Sequence, residues 1–265
     1  MEAEEYERIY RHETRHFWYR GVHALVQGAL SRRLGSLPGA RAGRPPDVLD
    51  AGCGTGGLMS RLQGSCRMTG LDMSPLALGF AARRGHRRLV RGSVSALPFA
   101  DGSFDVALSI DVLYHRAVAD DAAALGELAR VLRPGGVVLV NNPAHAWLRG
   151  SHDRKVHTAR RYARADWRRL AAATGLQLEQ LAWFNCAFFL PAVAVRTLSR
   201  GGDDARSDVR DLPTVLNAPL TAIMRLDAAA AGRSLLPIGL SLFVVLRKPA
   251  AREPAGTIAG PQRAT

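Results

Sequence analysis

Ten residues constrain this chain more than any others: Val48-Leu49-Asp50-Ala51-Gly52-Cys53-Gly54-Thr55-Gly56-Gly57. An apolar run that ends on a carboxylate and enters a glycine-rich turn predicts a buried strand running into a helix. Glycines in such a turn reach positive φ without a Cβ penalty and let backbone come within contact distance of a ligand. The first N–H groups of the following helix lack partners within it and face the same turn. The expectation is an α/β fold holding a small, adenosine-bearing molecule over its first strand-to-helix turn.

Gly52-x-Gly54-x-x-Gly57 also satisfies the dinucleotide fingerprint, so a nicotinamide or flavin oxidoreductase is an alternative. Asp50 weighs against it. A dinucleotide site sets a pyrophosphate over this turn, favoured by the helix dipole, and a carboxylate just before the first glycine repels it. The same carboxylate suits a cationic ligand whose amino group and sulfonium lie over the turn, as in S-adenosylmethionine. A second acid, Asp72 in Gly70-Leu71-Asp72-Met73-Ser74, follows Gly52 at the spacing of about 20 residues expected of an acid that accepts from ribose hydroxyls. Its other reading is a cap for the helix beginning near Pro75, although Ser74 is better placed for that.

Three further blocks complete a pattern: Leu97-Pro98-Phe99-Ala100-Asp101-Gly102-Ser103-Phe104-Asp105-Val106, Asp111-Val112-Leu113-Tyr114-His115 and Leu132-Arg133-Pro134-Gly135-Gly136. With the glycine turn they resemble the class I S-adenosylmethionine-dependent methyltransferases over about residues 47–142. His16-Phe17-Trp18-Tyr19-Arg20-Gly21 upstream, and His152-Asp153 to His157 with Arg160-Arg161-Tyr162 downstream, are similar more loosely to a bacterial subgroup acting on small molecules or glycan intermediates. The resemblance implies S-adenosylmethionine as cofactor, held by Asp50, Gly52, Gly54, Asp72, Met73, Ser93, Val94 and Asp111. Tyr19 and Arg20 join them from a helix over the cleft, the arginine matched to a carboxylate. One position departs from the family: the acid usually found after Gly92, which accepts from the adenine amino group, is Ser93 here. A hydroxyl oxygen can still accept. Asp101, in an Asp-Gly pair, reads as a turn former.

Strand and helix patterns alternate from Asp47 to Asn141, the signature of a parallel sheet with helices on both faces. Strands are expected at Asp47–Ala51, Arg67–Leu71, Leu89–Arg91, Asp105–Ile110 and Val137–Asn141. Helices are expected from Gly57, from Leu76 and over Asp121–Leu132, the last stopped by Pro134-Gly135-Gly136. A helix at Arg164–Ala173, a strand at Gln177–Phe184 and a last strand at Ser241–Arg247 follow. The family's seven-stranded, mostly parallel Rossmann-like sheet ends in an antiparallel pair. Residues 186–237 then form a helical insertion between the last two strands, read as a cap over the acceptor pocket. Residues 1–35 read as helices covering the cleft, 36–46 as a Gly/Pro/Arg linker, 36–185 with 238–248 as the cofactor-binding core, and 249–265 as a disordered tail.

The net charge of +13 would ordinarily point to nucleic acid or an anionic surface. Nearly all of it is arginine, with lysine only at Lys155 and Lys248, and the arginines are scattered rather than striped. No aromatic-and-basic RNA module accompanies them, so an RNA methyltransferase is a weaker alternative, as is a non-catalytic cofactor-binding protein. The acidic N-terminus does not read as a signal peptide, and apolar runs are too short to span a bilayer. Cys53, Cys66 and Cys186 have no metal spacing and cannot all pair, which fits reduced thiols in a cytoplasm. The sequence leaves the oligomeric state open.

Methyl transfer from a sulfonium is an in-line displacement, so the protein must align the acceptor and exclude water. A hydroxyl, phenol or ammonium acceptor also needs a base. His115, beyond the strand carrying Asp111, is the first candidate, with packing against the cofactor as its other reading. His145, in the loop after the next strand, is the second. Tyr114, Asn142, His152, His157, Tyr162, Asn185 and Phe188 are assigned to a small-molecule acceptor. No compact ligand set predicts a metal.

Overall fold

The computed structural model describes residues 3–150, 153–154, 157–198 and 213–250. Seven strands form one sheet in the order β3-β2-β1-β4-β5-β7-β6. They are β1 (Asp47–Ala51), β2 (Arg67–Asp72), β3 (Leu89–Arg91), β4 (Phe104–Ile110), β5 (Leu132–Pro143), β6 (Gln177–Phe184) and β7 (Ser241–Arg247). β1 to β5 pair in parallel, and β7 runs antiparallel between β5 and β6. This is the sheet the sequence predicts. The unbroken apolar character of β4 and β7 follows from burial on both faces.

Among the described residues, the helices around the sheet include α1 (Ala3–His12), α2 (Phe17–Ser31), α3 (Pro38–Arg41), α4 (Gly57–Leu62), α5 (Pro75–Arg83), α6 (Asp121–Val131), α7 (Arg164–Thr174), α8 (Phe189–Leu198) and α9 (Thr214–Gly232). Local chemistry sets several of their ends. Ser74 accepts from the Ala77 N–H at 3.3 Å ahead of Pro75. Asp120 accepts from Ala122 and Ala123. Gly175, at φ 67°, closes α7.

The structure departs from expectation in two places near the sheet. Residues 36–46 are not a bare linker: Leu37 is fully buried, α3 is one short turn, and Arg44 reaches the buried Asp105 carboxylate at 2.9 Å. The segment after α6 is not only a helix stop either, because Leu132 already pairs with Phe104 and β5 continues through Pro134-Gly135-Gly136 to Pro143. Gly135, at φ 82°, accommodates the irregularity.

The insertion between β6 and β7 carries α8 and α9. Met224, Ala228 and Ala231 of α9 share a core with Val22, Leu25, Val26 and Ala29 of α2. Gly21 makes that approach possible, since a Cβ there would lie 2.4 Å from the Met224 Cε. Gln180 of β6 donates to the last carbonyls of α9, at Ala231 and Gly232. The longer helix of the insertion is therefore a layer of the fold on one face of the sheet. The shorter one begins with Phe189 against His145 at 5.3 Å, and Phe188 just before it packs on Phe17 at 5.4 Å. The expected tail lies outside the described residues from position 251 onward.

Candidate active site

Parallel strands bring the carboxyl ends of β1, β2, β4 and β5 to one edge, where ligands sit in sheets of this kind. Asp50 is the second-last residue of β1 and is 2% exposed. Burial first, then the charges of Asp72 and Glu13, push its carboxyl up to about 7. Among the described residues none donates a hydrogen bond to that carboxylate. Gly52, at φ 97°, lies so close to Val112 that a Cβ would sit 2.3 Å from its Cγ2. Gly54, at φ 52°, faces open space instead. A ligand can thus come against bare backbone there.

Asp72 ties the two loops together: its carboxylate accepts from the Gly54 N–H and the Ser74 N–H, both at 2.9 Å. Capping of α5 falls to Ser74, so Asp72 is not that helix's cap. Met73 beside it is exposed. Ser93 is half-buried and its hydroxyl accepts from Ser95 N at 3.1 Å, while Val94 is buried in the core. Asp111 leaves β4 at φ 60°, its backbone N–H on the Asn141 carbonyl and its carboxylate accepting from Asn141 Nδ2 at 3.1 Å. Tyr19 of α2 and Tyr114 of the loop after β4 both feel the Asp111 charge, and burial raises both phenols well above their ordinary pKa. Arg20 is half-buried on the same helix as Tyr19.

Sequence reasoning missed the residue at the centre of this arrangement. Glu13, in the turn between α1 and α2, is 6% exposed and is wedged against Gly57 at the start of α4. It accepts from the Thr55 hydroxyl and pairs with Arg84 at 2.8 Å. Arg84 also donates to the Thr55 and Tyr10 carbonyls and lies 4.2 Å over the Tyr10 ring. His86 closes the other side, its Nε2 3.0 Å from the Gly56 carbonyl. Nothing local in sequence marks Glu13, because its partners lie 42 and 71 positions away.

This charge pattern discriminates between cofactors. A protein carboxylate already occupies the helix start over which a pyrophosphate would lie, and two more acids line the turn. The residues present fit a positively charged adenosyl ligand and do not fit a dinucleotide.

The two candidate bases differ in hydrogen bonding. His115 Nδ1 accepts from the Ala117 N–H at 3.1 Å, so the neutral ring carries its proton on Nε2. Its ring meets His157 edge-on at 5.5 Å. His145, at φ 59°, stacks on Trp183 at 4.9 Å, with Nε2 3.0 Å from the Gly239 carbonyl. A carbonyl only accepts, so that nitrogen holds the proton and Nδ1 keeps a lone pair. Burial lowers the pKa of both, aided at His115 by His157 and Arg116 and opposed at His145 by its bond to Gly239.

The acceptor assignments separate. Asn142 in β5 is fully buried with neither amide atom hydrogen-bonded among the described residues. Asn185, also fully buried and at φ 62°, donates from its backbone to Asp227 at 3.0 Å and keeps its amide oxygen unpartnered. His157 is half-buried beside His115. Tyr162 is a core strut: 3% exposed and packed on Trp167, with its hydroxyl on the Leu113 carbonyl and the Asp121 carboxylate. That leaves it no surface for an acceptor. His152 lies outside the described residues. No helix among those described is long and apolar enough to cross a membrane.

Comparison with known proteins agrees with the geometry. Residues 49–140 match the model of a family described as a methyltransferase domain. Malonyl-[acyl-carrier protein] O-methyltransferase of Serratia marcescens is 40% identical over 122 residues, 44% of this chain and 46% of its own. The chain spans just under half the length of the first curated relatives it matches. Two solved structures share the fold alone. An S-adenosylmethionine-dependent methyltransferase of Thermotoga maritima has a TM-score of 0.56 at 18% identity, covering 92% of this chain and 95% of that one. Geranyl diphosphate C-methyltransferase of Streptomyces coelicolor A3(2) has a TM-score of 0.54 at 17% identity, covering 85% and 78%. With its four sequence blocks, its strand order and its buried acidic turn, residues 49–140 are a methyltransferase domain of the class I S-adenosylmethionine-dependent kind.

Proposed function

We propose that the protein transfers the methyl group of S-adenosylmethionine to an oxygen, nitrogen or carbon nucleophile of a small metabolite. The observation that carries this is the set of buried carboxylates around an open glycine turn, with Glu13 standing where a phosphate would otherwise go. Bound there, the cofactor supplies an activated methyl group on a sulfonium. Asp50 and Asp72 orient its cationic and ribose ends. Tyr19 and Arg20 close over it, whereas Asn142 and Asn185, buried like Tyr162, present no surface to an acceptor. A relative named for O-methyl transfer to a malonyl-[acyl-carrier protein] supports a small or carrier-bound acceptor.

His145 is the better-supplied base, since its free Nδ1 can take a proton whereas the His115 lone pair is committed to Ala117. Titration calorimetry with S-adenosylhomocysteine and with NAD tests the cofactor: tight NAD binding without adenosylhomocysteine binding would remove the reading.

The pH dependence follows from Asp50. Its folded pKa of about 7 exceeds its unfolded value, so folding takes up a proton and this group's contribution to stability falls as pH rises toward 7. A cationic ligand needs the ionised form, so affinity for S-adenosylmethionine climbs up to about pH 7 and then levels. Asp50→Asn abolishes that climb and weakens binding at neutral pH roughly tenfold. Affinity that is flat with pH in the wild type would show that Asp50 does not face the cofactor.

A further inference from the structure

Helix α9 is apolar on both faces. Its inner face packs on α2 through Met224, Ala228 and Ala231. Its outer face presents Val215 at 83%, Leu216 at 52%, Ile223 at 41% and Leu226 at 72% exposure. At helical spacing these four fall within about a third of a turn, so they form one stripe. A helix apolar all round is ordinarily covered by something. Residues 199–212 cannot supply an apolar cover by composition, since they hold three arginines, four aspartates and only Val209 and Leu212 as large apolar side chains.

We propose that this stripe rests on an anionic bilayer surface and that the acceptor is an amphiphilic lipid drawn from it. Three observations favour the bilayer. Exposed arginines flank the apolar residues, Arg225 beside Leu226 and Arg233 beside Leu235. Among the described residues of the insertion the only acid is Asp227, which is buried and bound to the Asn185 and Ala187 N–H groups. The chain as a whole carries +13, a charge that draws it to anionic lipid and opposes pairing with its own copy. The stripe also starts at the site. In the first turn of α9, Asn217 accepts from Phe17 N and donates to the Arg15 carbonyl, which fixes Val215 and Leu216 beside the start of the helix carrying Tyr19. An acyl or prenyl chain in the lipid surface would then leave its polar head near the β4 and β5 edge. The helix lies on the membrane without spanning it.

The lipid acceptor rests on the methyltransferase reading, and the test separates the two. Wild type is sedimented with vesicles of phosphatidylglycerol and phosphatidylcholine in equal parts and with phosphatidylcholine alone, while adenosylhomocysteine affinity is measured in parallel. Binding to the anionic vesicles is expected. It falls at least about tenfold in Val215→Asp/Leu226→Asp and about thirtyfold in Arg225→Ala/Arg233→Ala, with adenosylhomocysteine affinity unchanged in both. No vesicle binding by a wild type that still binds adenosylhomocysteine overturns the proposal and spares the enzyme reading. Light scattering that finds a dimer, converted to monomer by Val215→Asp/Leu226→Asp, also overturns it by assigning the stripe to a second copy.

Discussion

Replacing His145 by alanine lowers kcat by about a hundredfold or more for an acceptor that must lose a proton, and replacing His115 leaves it within a few-fold. The asymmetry follows from which ring nitrogen is free. His145 gives its Nε2–H to the Gly239 carbonyl and lies flat on Trp183, so its orientation and tautomer are fixed before any acceptor arrives. A base fixed in this way pays little to reach its reacting geometry. His115 spends its lone pair on the Ala117 N–H that shapes the loop after β4, so its loss should loosen the loop without removing a proton acceptor. Burial holds the His145 pKa below that of an ordinary histidine. The acid limb of the wild-type rate profile should therefore lie lower than a free imidazole would place it. The measurement is transfer of label from methyl-labelled cofactor into a metabolite extract, with adenosylhomocysteine affinity as control. Full activity in His145→Ala with loss in His115→Ala would reverse the assignment. Unchanged activity in both would leave an acceptor, such as an activated carbon, that needs neither.

The sequence was most legible where chemistry and chain direction coincide. Asp50 and the glycines are neighbours along the chain, so a ten-residue reading found the turn, and alternation of apolar runs gave the sheet. Asp72 was found by spacing, although its carboxylate turns out to hold the Gly54 and Ser74 N–H groups. Tyr162 read as a ligand because it sits in a polar loop. Its side chain instead enters the core, which only the tertiary path of the loop decides. The insertion misled in a related way. Its helical character and its place between the last two strands suggest a cap over the acceptor pocket, yet one face of α9 completes the core under α2, an arrangement that depends on Gly21 and Met224 meeting across some 200 positions. Glu13 was hidden for the same reason. A buried ion pair between distant segments leaves no period or motif behind.

That hidden pair makes the largest stability prediction. Arg84→Ala should destabilise the protein by about 3–5 kcal/mol, because it strands a carboxylate in the interior rather than merely deleting a contact. Glu13 is 8% and Arg84 13% exposed at the side chain, so the weak energetics of surface pairs do not apply. Arg84 also holds the Tyr10 and Thr55 carbonyls, and its removal frees α1 from the glycine turn at the same time. Burial already raises the Glu13 pKa against the pull of Thr55 and Arg84. Without the guanidinium the carboxyl takes a proton more readily, so the deficit should shrink as pH falls and the folded state absorbs that proton. Urea denaturation across pH measures this directly. Glu13→Gln/Arg84→Met should recover part of the loss, since neither replacement leaves a buried charge. A loss below about 1 kcal/mol in Arg84→Ala, independent of pH, would class the pair with ordinary surface bridges. Adenosylhomocysteine affinity should weaken alongside stability in Arg84→Ala, because Glu13 is what presses the N-terminal segment onto Gly57.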